Sequence, residues 1–178
     1  MTTDYDIMLK QAKELVDGVP HFIANLANIS ALLFETLEDI NWAGFYLREG
    51  EKLVLGPFQG KPACIEIASG KGVCGTAMQL DCIQRIANVH EFAGHIACDS
   101  ASNSEIVIPI HGYDTCTCAK DSQKNCCEEA ENGEKASLPE KKVVAVLDID
   151  STEFSRFTEE DEEGLSRLVR LLEESVFS

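Results

Sequence analysis

The sequence predicts an α+β fold, a central, mostly antiparallel sheet flanked by helices. Apolar residues recur at helical spacing near both ends of the chain, and short β-branched or aromatic runs separated by glycine-containing turns fill the middle. At 178 residues the chain has the length of a single domain, 1–178, able to bury a substantial core.

Residues 4–16 place Tyr5, Met8, Leu9, Ala12, Leu15 and Val16 on one helix face, and Asp17-Gly18 ends the pattern. A second helix is expected over 20–38, opening at Pro20 and carrying Phe22, Ile23, Leu26, Leu33 and Leu37. Extended runs follow at Trp42 to Leu47, Lys52 to Leu55 and Cys64 to Ile67, with turns at Glu49-Gly50-Glu51, Gly56-Pro57 and Ser69-Gly70-Lys71-Gly72. Val73 to Met78 opens a short helix, Gln84 to Val89 reads as a short strand, and Gly94 to Ser104 as a long loop. Ile106 to Ile110 and Val143 to Ile149 are apolar and β-branched, as in buried strands. Thr158 followed by Glu159, Glu160 and Asp161 is a helix start, and Leu165, Leu168, Val169 and Leu172 continue that helix. The polar, aperiodic stretch at about 112–142 reads as a cysteine-rich surface insertion between two strands.

The net charge of -16, with 31 acidic against 15 basic residues, excludes a nucleic-acid or anionic-membrane binder, which needs a basic face. No basic cluster exceeds the pair Lys141-Lys142, and no apolar run approaches the roughly 20 residues that span a bilayer. MTTDYDIMLKQAKEL lacks the features of a secretory signal, so the cytoplasm is the expected compartment. Eight cysteines in such a chain point to redox chemistry or metal binding.

Thiol redox chemistry requires a nucleophilic thiolate, a proton donor for the group that leaves, and a second thiol to condense with any sulfenic acid formed. A lone cysteine is by default a small buried hydrophobe, and Cys82 in DCIQRI reads that way. Cys98 differs, because its polar Gly/Ala/Ser loop beside His95 and Asp99 suits a reactive thiol. Asp148 and Asp150 alternate along VLDID and therefore share one strand face, while Leu147 and Ile149 share the other. With Glu105 from another strand they would form an acidic trio in which one carboxyl keeps a proton near neutral pH, or which holds an ammonium group. Trp42 and Tyr46, four apart in NWAGFYLR, face one side of a strand, either as core anchors or as a pocket wall. His90 and His95 could tune a thiolate or serve as ordinary loop histidines.

The segments GPFQGKPACIEIASGKGVCGTA, VHEFAGHIACDSASNSEIVIPI and VLDIDS, with NWAGFYL before them and FTEEDEEGL after, resemble the free methionine-(R)-sulfoxide reductases, a family built on the GAF fold. The resemblance covers nearly the whole chain outside 112–142. It implies thiol-dependent reduction of free L-methionine-(R)-sulfoxide to methionine, through a sulfenic acid and an intramolecular disulfide that thioredoxin recycles. Cys98 matches the family's nucleophile, Cys64 its resolving cysteine and Cys74 a third redox-linked position. Glu105, Asp148 and Asp150 match positions for substrate binding and sulfoxide activation, with Glu105 and Asp150 at the sulfoxide and Asp148 nearer the amine. Trp42 matches a residue packing on the substrate methyl, and Tyr46 one that closes the pocket. The family needs neither cofactor nor metal and is often dimeric. The competing reading is a GAF-type domain that senses a small ligand or redox state.

The chain departs from the family pattern at Asn88, where aspartate is usual, and at Ala145, where glycine is usual. It departs most in the insertion. Cys116, Cys118, Cys126 and Cys127 (CxC, seven residues, CC) do not follow a standard zinc spacing. They read first as free thiols in a surface loop, with Zn2+ or Cu+ binding and accessory disulfides as alternatives.

Overall fold

The computed structural model describes residues 3–92, 101–113 and 141–178. Helices α1 (Tyr5–Val16) and α2 (Phe22–Thr36) are followed by strands β1 (Trp42–Glu49), β2 (Lys52–Gly60) and β3 (Glu66–Ala68). Helix α3 (Gly72–Leu80), strand β4 (Gln84–Ile86) and a 3-10 turn (Val89–Glu91) come next. Strands β5 (Ser104–Gly112) and β6 (Lys142–Ser151) and helix α4 (Glu159–Ser175) complete the described chain. The strands form one sheet in the order β3-β2-β1-β6-β5-β4, and every described pairing is antiparallel. The α+β class read from the sequence is the class observed.

The alternation of side chains along each strand divides the molecule into two apolar layers. On one face, Ala43 and Phe45 of β1, Ile106, Ile108 and Ile110 of β5, and Leu147 and Ile149 of β6 pack against α1, α2 and α4. On the other, Tyr46, Val107 and Val146 lie beneath α3 with Val73, Cys74, Ala77 and Met78. The second layer is thinner and contains the polar groups considered below.

Local signals set the helix ends. Asp4 caps α1 by accepting from the Ile7 amide at 3.0 Å. Thr158 and Asp161 cap each other's amides to start α4, and Tyr5 donates to Asp161 Oδ1 at 2.7 Å, tying α1 to that cap. Helix α2 starts two residues after Pro20, at Phe22, in a turn held by the Asn25 side chain donating to the Val19 carbonyl.

Three expectations change. Gly56-Pro57 is not a turn, because β2 runs through it to Gly60. Gly44 pairs with Phe58 and Tyr46 with Leu55, so Gly56 and Pro57 together oppose Phe45 in a bulge. Pro57 also lies beyond the Lys52–Val54 stretch that β3 covers, so its missing N–H breaks no ladder bond to that strand. The strand expected at Cys64 to Ile67 starts only at Glu66, leaving Cys64 in an irregular segment. The strand expected at Gln84 to Val89 stops at Ile86, since Asn88 accepts from the His90 amide and starts a 3-10 turn.

Gly112 pairs with Lys142, so the chain between them connects neighbouring antiparallel strands. His95, Cys98, Cys116, Cys118, Cys126 and Cys127 lie outside the described residues.

Candidate active site

The register of the three central strands assembles the site. Trp42 pairs with Asp150, and Asp150 with Glu105 on its other side, so one row across β1, β6 and β5 reads Trp, Asp, Glu. The next row on the same face is Gly44, Asp148, Val107. Gly44 makes the aromatic arrangement possible: a Cβ there would sit 2.7 Å from Trp42 Cη2 and 2.3 Å from Phe58 Cβ. The Trp42 ring stacks on Phe58 at 5.2 Å and on Tyr46 at 5.9 Å between centroids.

Both polar tips of this wall are anchored to the segment that follows β2. Trp42 Nε1 donates to the Lys61 carbonyl at 3.1 Å, and the Tyr46 hydroxyl donates to the Cys64 carbonyl at 3.0 Å. A small cavity of about 20 Å³ lies between them, lined by Trp42, Tyr46, Lys61, Pro62, Ala63, Asp148 and Asp150.

Helix α3 closes the acidic side. Gly75 lets it approach β3, because a Cβ there would lie 2.4 Å from the Ala68 carbonyl oxygen. The approach brings the Cys74 thiol to Glu105, to which it donates at 3.9 Å. Donor atoms of Cys74, Glu105 and Asp148 all lie within 4.8 Å of one another, and all three residues are buried. Asp148 Oδ1 is enclosed and has no hydrogen-bond partner among the described residues.

Burial and mutual repulsion decide the charge of this cluster. Burial, with Asp148 and Asp150 beside it, pushes the Glu105 carboxyl well above the usual range. Burial raises Asp148 to about 6, against hydrogen bonds from Cys74 and Glu105 that favour its ionised form. Burial, with Asp148 and Glu105 close by, pushes the Cys74 thiol well above its ordinary value. The cluster therefore favours the protonated form of Glu105, and Cys74 is held as a thiol rather than a thiolate nucleophile. The same three donors are the set among the described residues that could hold a cation, one sulfur and two carboxylates.

The structure thus brings together Trp42, Tyr46, Cys74, Glu105, Asp148 and Asp150, and places Cys64 next to them through its backbone. Cys82 differs from its expected buried state: it is exposed, following the left-handed Asp81 that ends α3. His90 pairs through Nε2 with Asn103 Oδ1 at 2.9 Å and sits edge-on to Phe154. Sequence reasoning missed Phe58, since a turn at Gly56-Pro57 would have ended the strand before it. Extending β2 through the proline sets Phe58 opposite Gly44.

A curled antiparallel sheet with helices on one face, and a thiol-and-carboxylate pocket under a short helix on the other, defines a GAF-type domain. A solved structure of a GAF domain matches it with a TM-score of 0.78 at 36% identity, over 96% of this chain and 87% of that one. No protein-family model matches the sequence. The free methionine-R-sulfoxide reductase of Escherichia coli is 49% identical over 172 residues, covering 97% of this chain and 88% of that protein. The substrate complex of the Staphylococcus aureus enzyme fRMsr is 42% identical with a TM-score of 0.80, over 99% of this chain and 97% of that chain. The chain belongs to the free methionine-R-sulfoxide reductase family.

Proposed function

We propose that the protein reduces free L-methionine-(R)-sulfoxide to methionine, with electrons returned by thioredoxin in the cytoplasm. The observation that carries this reading is the buried acidic set beneath an aromatic wall, with one Asp148 oxygen left without a partner among the described residues. A free amino acid brings an ammonium group that satisfies such an oxygen, whereas a peptide-bound residue has no ammonium to offer. The Trp42 ring supplies an apolar surface for the methyl group, and Glu105 holds the proton that the sulfoxide oxygen needs. Glu105 and Asp150, cross-strand neighbours, act at the sulfoxide, and Asp148 acts nearer the amine.

In the chemistry proposed, the Cys98 thiolate attacks the substrate sulfur as Glu105 protonates the oxygen. Oxygen passes to the Cys98 sulfur, leaving a sulfenic acid and methionine, so sulfur in the substrate gains the two electrons that Cys98 loses. The Cys64 thiol displaces water from the sulfenic acid to form a Cys64–Cys98 disulfide. Cys74 serves as a third redox-linked thiol to which that disulfide can be passed, and the thioredoxin dithiol returns the enzyme to its reduced form by exchange.

The test is turnover of free methionine-(R)-sulfoxide against its peptide-bound form with a thioredoxin system. Turnover of the free amino acid alone is expected. Cys98→Ser is expected to abolish it, and Cys64→Ser to release about one equivalent of methionine and stop. Normal turnover by Cys98→Ser, or equal use of the peptide form, would overturn the proposal.

A further inference from the structure

The segment that carries Cys64 is irregular between Lys61 and Ile65, with no ladder of its own to hold it. Among the described residues it is held by hydrogen bonds from Trp42 Nε1 to the Lys61 carbonyl, from the Tyr46 hydroxyl to the Cys64 carbonyl, and from the Leu55 amide to the Ile65 carbonyl. Two of these come from side chains at the centre of the sheet. Trp42 and Tyr46 are 4% and 1% exposed, and their rings are stacked on each other. A tyrosine this deeply buried has little freedom to move its hydroxyl, so the Cys64 carbonyl takes its position from β1.

We propose that Tyr46, assisted by Trp42, is a positioning residue for the resolving step: its hydroxyl holds the Cys64 backbone where the thiol can reach a sulfenic acid formed in the pocket. This inference rests on the function proposed above and deepens it. Condensation of a thiol with a sulfenic acid displaces water and forms one S–S bond, and its rate depends on how often the two sulfurs meet in line. Tethering the attacking residue by its own carbonyl raises that frequency without touching either sulfur. The same two rings line the small cavity, so the pocket wall and the resolving segment share their anchors.

The experiment uses the full chain and separates the two half-reactions. One equivalent of free methionine-(R)-sulfoxide is added to reduced protein without thioredoxin. Methionine release is followed beside the lifetime of the sulfenic acid, trapped with a cyclic diketone. Tyr46→Phe keeps the ring and removes the hydroxyl, and the lost bond is expected to lengthen the sulfenic acid lifetime roughly three- to tenfold. Methionine release in the same mixture is expected to slow by a smaller factor. A purely structural role for Tyr46 would slow both steps alike. Pro62→Gly loosens the segment with both anchors in place and is expected to lengthen the lifetime in the same direction, so it decides the matter if Tyr46→Phe does not fold. Wild-type lifetimes in both variants, or in Pro62→Gly alone where Tyr46→Phe is unfolded, overturn the positioning role and leave the proposed function standing. Absence of methionine release by the wild-type protein would instead overturn the function on which it rests.

Discussion

Replacing Asp148 by asparagine keeps the side chain's shape and removes a charge that the fold holds against burial. The carboxyl rises from 3.8 to about 6 on folding, so the native state binds the proton more tightly than the unfolded chain. A raised acid costs nothing while both states are protonated, costs progressively more as pH climbs from the unfolded to the folded value, and levels off above it. Titrating alone, Asp148 would cost about 3 kcal/mol at pH 8 and roughly half of that at pH 5. Because Glu105 shares the proton, Asp148→Asn is expected to stabilise the protein by on the order of 2 kcal/mol at pH 8 and about half as much at pH 5. Urea unfolding of both proteins at the two pH values reads this as a shift in midpoint at unchanged slope. A gain of equal size at both pH values, or a loss at pH 8, would refute the electrostatic reasoning. Activity should move the other way. Removing the charge proposed to hold the substrate's ammonium is expected to lower kcat/KM about tenfold or more. Stability given up at a functional site follows from holding three acids together out of water.

Two other perturbations test the architecture. Gly44→Ala would force a Cβ against Phe58 and Trp42 and is expected to destabilise the fold by about 1–3 kcal/mol, seen in denaturant unfolding and in altered fluorescence of Trp42, the single tryptophan. Unchanged stability and emission would show that the aromatic stack does not depend on the missing side chain. At the far end of β5, His111 bonds Glu173 at 2.9 Å and Asp81 at 2.8 Å, linking α4 to the end of α3. Burial works against its charged form, but the bonds to Glu173 and Asp81 prevail and raise it above 6.5. The stabilisation is therefore complete below pH 6.5 and is lost as pH rises through the folded value. Glu173→Gln should lower Tm more at pH 6 than at pH 9, and an equal drop at both would remove the ion pairs from the explanation.

Much of this was legible because it is local. The 3.6-residue apolar period marked α1 and α4, the Thr158 cap marked where α4 begins, and the two-residue alternation of VLDID put Asp148 and Asp150 on one face before any fold was known. Short contiguous motifs such as GKPAC and GVCG carried the family resemblance for the same reason, since each spans a few consecutive residues. What the tertiary structure decided is register and approach between segments far apart in the chain. That Glu105 faces Asp150, that β2 continues past Pro57 to set Phe58 over Gly44, and that α3 lowers Cys74 onto two carboxylates are outcomes of strand pairing and helix packing. The shifted protonation of Glu105, Asp148 and Cys74 follows from that convergence, because desolvation and repulsion depend on distance in space and not on spacing along the chain. Sequence determined which side chains were available and which face each would take; the assembled sheet determined which of them must share a proton.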